Sequence, residues 1–103
     1  MCRRRTLNQT HRKLQTSPSS FVGENVFVTT LDDFVGFELA KEHDVVARCA
    51  MFSTDYPHSV TLWPNSREYI DKLTAGLPED RKHAMLAGNA LRAFGVEAGV
   101  AVA

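Results

Sequence analysis

Ala50-Met51-Phe52-Ser53-Thr54-Asp55-Tyr56-Pro57-His58 opens as an apolar run and closes on a carboxylate, an aromatic ring, a proline and an imidazole. Ala50 to Phe52 reads as a strand too buried to alternate between polar and apolar residues. Pro57 has no N–H to give to a ladder, so the strand is expected to stop at about Thr54 or Asp55. Asp55 then falls at the carboxyl end of a buried, parallel-type strand. In α/β folds this rim is where ligands and metals sit. A carboxylate there is either a hydrogen-bond anchor for the next loop or part of a site.

Upstream, Glu24-Asn25-Val26-Phe27-Val28-Thr29-Thr30 is rich in β-branched and aromatic residues and reads as a second strand. Leu31-Asp32-Asp33 follows as a turn in which either aspartate can cap a helix. That helix is expected from about Phe34 to His43, with Phe34, Phe37 and Lys41 on one face and Glu38 and Glu42 on another. Gly36 weakens it unless close packing requires a glycine there. Asp44 to Cys49 either extends the helix or begins the next strand.

Downstream, Ser59 to Pro64 is a loop carrying Trp63. Asn65-Ser66-Arg67-Glu68 resembles a capping box, opening a helix with Ile70, Leu73 and Leu77 on one face. Pro78 breaks the chain and starts another helix, with Glu79 and Asp80 in its positive first turn. Met85, Leu86, Ala90, Leu91 and Phe94 give a broad apolar side and read as core. Gly88 is expected to end one helix and Asn89 to cap a shorter one that closes at Gly95. His43 and His83 read as solvated, and Cys49 as a small core residue.

The order is β-α-β-α with parallel strands. Two strands are too few for a parallel sheet, whose faces must be covered and whose outer edges need partners. The chain therefore reads as part of a larger α/β protein.

The 103 residues suffice for one small domain. With 44% hydrophobic residues the chain is not disordered as a whole. No apolar run approaches the roughly 20 residues of a membrane helix, so no membrane association is expected. Twelve basic and twelve acidic residues cancel, but they are segregated. Arg3, Arg4, Arg5, Arg12 and Lys13 lie within residues 1–20 with no acid, and the remainder carries a net charge of −5. Nucleic acid is therefore not an expected partner of the body. Residues 1–20 read as a disordered basic leader, with a transit-like peptide or a nucleic-acid arm as weaker alternatives. Residues 98–103 read as a frayed tail. Two isolated cysteines, Cys2 and Cys49, make no disulfide framework, and a cytoplasmic setting is expected.

Four stretches together resemble the C-terminal end of the amidohydrolase-related metal-dependent hydrolases, including the aminocarboxymuconate-semialdehyde decarboxylase type. They are Glu24–Thr30, Met51–His58, Trp63-Pro64-Asn65-Ser66 and Leu86-Ala87-Gly88-Asn89-Ala90-Leu91-Arg92-Ala93-Phe94. They span about residues 21–97 in the family's order. The resemblance implies a partial (β/α)8 TIM barrel: its last two β/α units, Glu24–Thr30 as the seventh strand and Ala50–Thr54 as the eighth, plus C-terminal helices. It puts Asp55 on the family's metal-site aspartate, as both metal ligand and catalytic group.

The histidine pattern departs from the family. There is no His-x-His pair, and the four histidines are His11, His43, His58 and His83. A barrel also needs on the order of 250 residues. The resemblance thus implies a fragment of a hydrolase or non-oxidative decarboxylase acting on a small carboxylic or cyclic substrate. Such an enzyme uses a divalent metal, zinc foremost, which this chain alone is not expected to hold tightly. Association with the missing part of the barrel, or with itself, is the expected partnership. A non-catalytic fragment docking on a partner chain is the alternative.

His58 is expected to hydrogen-bond near a metal or to touch substrate rather than to ligate directly. Tyr56 and Trp63 either line a pocket for a planar substrate or simply pack.

Overall fold

The computed structural model describes residues 15–96 of the chain. Of the expected basic leader, Pro18–Phe21 forms a single 3-10 turn. Proline is well placed there, its φ already set for the first helical position. Residues 1–14 and the expected tail at 98–103 lie outside the described residues.

β1 is Val28–Thr30, shorter than the expected Glu24–Thr30. The missing half is used in a turn. Gly23 adopts a φ of 81° and its N–H donates to the Val26 carbonyl at 2.9 Å. The N–H groups of Glu24, Asn25 and Val26 all return to the Phe21 carbonyl. A backbone committed to that turn cannot join a ladder.

α1 is Phe34–Leu39, capped as expected by an aspartate: Asp33 Oδ1 accepts from the Gly36 N–H at 3.1 Å. Gly36 is explained by this cap, since a Cβ there would lie 2.6 Å from Asp33 Oδ2. The helix stops before His43. Lys41 and Glu42 donate three residues back, tightening the last turn, and His43 is extended with φ −111° and ψ 106°. Asp44–Cys49 then forms a separate helix, α2, with Asp44 in its first turn. The C-terminal end of α1 is tied by side chains. Lys41 Nζ meets Glu38 at 2.7 Å, and Arg81 Nη1 reaches across to donate to the Ala40 carbonyl at 2.7 Å.

β2, Ala50–Phe52, follows α2 without a connecting residue. It pairs with β1 in parallel, Val28 opposite Ala50, Thr29 opposite Met51 and Thr30 opposite Phe52. The Ser53 N–H extends the ladder by one bond, to the Thr30 carbonyl at 2.8 Å. The strand ends at Phe52, earlier than the Thr54 or Asp55 expected. Among the described residues the sheet has these two strands and no others.

α3 is Ser66–Leu73. Asn65 makes no side-chain cap bond, because its φ of −92° and ψ of 18° are not the extended geometry that aims the side chain at the helix N–H groups. Glu68 and Lys72 pair on its outer face at 2.7 Å. The hydrogen bond to Lys72 holds the Glu68 carboxyl below its usual range and raises the Lys72 ammonium. Both are solvent-exposed, so the pair adds little stability. Leu73 is buried, and a turn closed by the Leu77 N–H on Thr74 O brings buried Leu77 beside it.

α4, Glu79–His83, starts at Pro78 with the two expected acids in its first turn. No break follows at Gly88. Its φ of −59° and ψ of −42° are helical, and Ala84–Gly88 makes a π-helical turn that leads directly into α5, Asn89–Phe94. Asn89 is therefore no cap. The wider turn inserts one residue and shifts the inward face by about 100°. Asn89 takes the inward position, only 2% exposed. Phe94, five residues on, points about 140° away from it. It is 77% exposed, which corrects its reading as core. Gly95 closes the helix as expected, at a φ of 65°.

Phe37, Ala40, Ala47, Ala50, Leu73, Leu77 and Met85 form one core cluster. It joins α1, α2 and the start of β2 to α3 and the π turn. Cys49 is buried and free, as expected of a small core residue. No helix among the described residues is long and apolar enough to cross a membrane.

Candidate functional site

β2 delivers the chain into a closed loop. Thr54 O accepts both the Thr61 hydroxyl, at 2.6 Å, and the Leu62 N–H, at 3.1 Å. These bonds tie residues 54 and 62 together, and buried Leu62 anchors the return. A loop with its ends clamped to a rigid strand presents its side chains in a defined place. The Tyr56–Pro57 and Trp63–Pro64 peptides are both cis.

Asp55 is the second residue of this loop. Its φ is 54°, the left-handed region that aspartate enters more readily than most residues. Its N–H donates to Ser53 Oγ at 3.3 Å, and its carbonyl accepts the His58 N–H at 2.8 Å. The carboxylate is half exposed, three residues past the carboxyl end of β2. Oδ2 lies 3.4 Å from His58 Nδ1, a looser contact than a formed hydrogen bond. Asp55 and His58 are thus brought together.

Tyr56 and Trp63 pack against each other edge to face, centroids 5.4 Å apart at 68°. They are 63% and 59% exposed. An open cavity of about 500 Å³ lies elsewhere, lined by His83, Gly88, Asn89, Leu91 and Arg92 among others. None of Asp55, Tyr56, His58 or Trp63 borders it.

Carboxylate oxygen and imidazole nitrogen are the donor types zinc takes. The number falls short. Catalytic zinc uses three protein ligands, and no group of three or more His, Cys, Asp or Glu residues that could hold a metal occurs among the described residues. This part of the chain does not by itself fit a metal ion.

Two polar residues were misjudged from the sequence. Asn89 reads there as a cap and Arg92 is given no role of its own, yet both make buried or half-buried bonds to backbone carbonyls of other segments. The visible signal is a polar pair spaced i, i+3 on an otherwise apolar helix, which puts both on one face.

No curated protein matches the chain. The sequence profile of the amidohydrolase family matches residues 10–96, which takes in β1, β2, the Asp55 loop and all the helices. Parallel strands with helical connections, and a carboxylate just past a strand's carboxyl end, agree with that match, and the chain belongs to the amidohydrolase family.

Proposed function

We propose that this chain supplies the last two β/α units of an amidohydrolase-type barrel and contributes Asp55 to a metal-dependent centre. The other donors come from a polypeptide segment beyond residues 15–96. The observation that carries this reading is Asp55, held by a clamped loop immediately past a parallel strand in a chain of this family. The reaction class is hydrolysis or non-oxidative decarboxylation of a small carboxylic or cyclic substrate. A bound divalent metal, zinc foremost, supplies Lewis-acid polarisation in such centres. Here Asp55 offers carboxylate oxygen as a donor or proton acceptor, and His58 stands beside it to orient that carboxylate. Tyr56 and Trp63 offer an aromatic wall at the same rim.

Titration calorimetry with zinc tests the division of donors. The purified chain is expected to show no saturable one-to-one uptake in the micromolar range. Co-expressed with an amidohydrolase barrel portion that lacks its last two units, it is expected to take up one equivalent, and Asp55→Asn to lose it. Tight one-to-one binding by the chain alone, or uptake by the assembly that ignores Asp55→Asn, overturns the reading.

A second reading, a non-catalytic fragment docking on a partner, is favoured by a different observation. Val26, Val28, Phe34, Val35 and Leu39 are apolar and exposed around β1 and α1, where a partner could cover them. Size-exclusion chromatography with light scattering separates the cases. Self-association or partner capture is expected on this reading, and a compact, cooperatively unfolding monomer counts against it.

A further inference from the structure

α2 runs into β2 with no loop between them. A helix end leaves four carbonyls without intrahelical partners, and a glycine turn or water commonly takes them. No residue is spared for such a turn here. The Ala50 N–H folds back onto Val46 O, which the Cys49 thiol also meets at 3.6 Å. The Ala47, Arg48 and Ala50 carbonyls at the junction are taken by side chains of α5. Asn89 Nδ2 donates to Ala47 O and to Ala50 O, each at 2.7 Å. Arg92 Nη2 donates to Arg48 O at 2.8 Å, and Nη1 to Gly23 O at 2.8 Å. Arg92 Nη2 also donates to Asn89 Oδ1 at 3.0 Å, which fixes which end of the amide faces the carbonyls. Both amide hydrogens and the amide oxygen of Asn89 are thereby used, in a residue the core has almost closed off from solvent.

We propose that Asn89 and Arg92 are positioning residues, a clasp that replaces the missing helix cap and sets the phase of β2 against β1. β2 is three residues long, so its own ladder offers little resistance to slippage. A slip of one residue would turn every side chain of the strand to the opposite face. Holding Ala47, Arg48 and Ala50 from outside removes that freedom at the strand's start. The consequence for function rests on the Asp55 reading: a strand fixed in phase delivers the Asp55 loop in one direction only. The clasp itself does not depend on that reading. An apolar residue at 89 would fill the space but leave two buried carbonyls without partners.

Site-resolved hydrogen exchange by NMR on the full chain tests this. The reporter is the Ser53 amide, which donates to Thr30 O at the far end of β2. The references are the Thr74 and Lys82 amides, bonded within α3 and α4. In Asn89→Ala the Ser53 amide is expected to exchange at least about tenfold faster relative to both references. Arg92→Lys keeps the charge but loses the fork, and is expected to move the same amide in the same direction by less. Asp55→Asn is expected to leave the three amides unchanged, so a failure of the carboxylate reading shows in the zinc titration and not here. Equal acceleration at all three amides, or none at Ser53, overturns the clasp. Should Asn89→Ala fail to fold, Arg92→Lys is judged by the same criteria.

Discussion

Phe37→Ala should remove a large share of this chain's folding stability. Phe37 is 1% exposed and sits in the cluster that joins α1 and α2 to Leu73 and Met85. Removing a buried phenyl ring forfeits its transfer free energy and leaves a cavity, together about 3–5 kcal/mol. A domain of roughly 80–100 residues is stabilised by only about 4–15 kcal/mol. The neighbours offer little relief. Ala40, Ala47 and Ala50 have no side-chain length to swing into the void, and Leu73 and Met85 are already buried on their other sides. At about 4–8 °C per kcal/mol, the thermal midpoint should fall by well over 10 °C. Circular dichroism melting of the full chain measures it, with Phe34→Ala as the comparison. Phe34 is mostly exposed, so its truncation should cost little. Equal effects at the two positions would mean that the cluster is not the core.

Gly23→Val should destabilise by about 2–4 kcal/mol, the second large effect, and by a different route. Gly23 holds a φ of 81°, where a β-carbon meets its own backbone at a cost of about 1–2 kcal/mol, more for a β-branched side chain. Space is short as well. A Cβ there would lie 3.1 Å from Arg48 Cβ and 3.4 Å from Arg48 O, atoms attached to a helix that cannot step aside freely. Overpacking of that kind adds about 1–3 kcal/mol. The same movement would stretch the Arg92 bonds to Gly23 O and Arg48 O. Urea denaturation of Gly23→Ala beside Gly23→Val isolates the cost of the branched methyl groups, since alanine carries the conformational cost and the Cβ contacts alone. A valine variant as stable as the parent would show that the Phe21–Val26 turn relaxes into another geometry.

How much of this was legible beforehand differs from element to element. Local chemistry read well where one residue decides the outcome. Asp33 caps α1 through its own carboxylate, Pro78 starts α4, and Gly95 ends α5 in the left-handed region. The short apolar run Ala50–Phe52 is a parallel strand as expected, though only Ala50 is buried and Met51 and Phe52 are half-buried. Asp55, expected at the strand's rim, lies in the clamped loop just beyond it, next to His58.

Boundaries and burial of polar groups read poorly. The strand expected from Glu24 shrank because its first half is spent on a turn around Phe21 O. The helix expected to reach His43 ends at Leu39, and Asp44–Cys49 forms a separate one. The largest miss is Gly88-Asn89, a pair that looks like a helix stop and a helix start. Glycine can also be helical, and asparagine can serve as a buried donor as well as a cap, so the dipeptide leaves both outcomes open. The carbonyls that decide between them belong to residues 47 and 50, some forty positions away.

The sequence by itself determined the Asp33 cap, the helix start at Pro78, the helix end at Gly95 and the strand at Ala50–Phe52, and it marked the family through motifs that fall in order along the chain. Those are properties of neighbours within a few residues, and short-range sterics and hydrogen bonding settle them. Only the tertiary structure decided that α2 passes straight into β2, that Asn89 and Arg92 hold the junction, and that Phe94 faces outward. Each of these depends on a π turn and on carbonyls left open by a distant segment. An unsatisfied buried carbonyl becomes costly only once the fold has enclosed it.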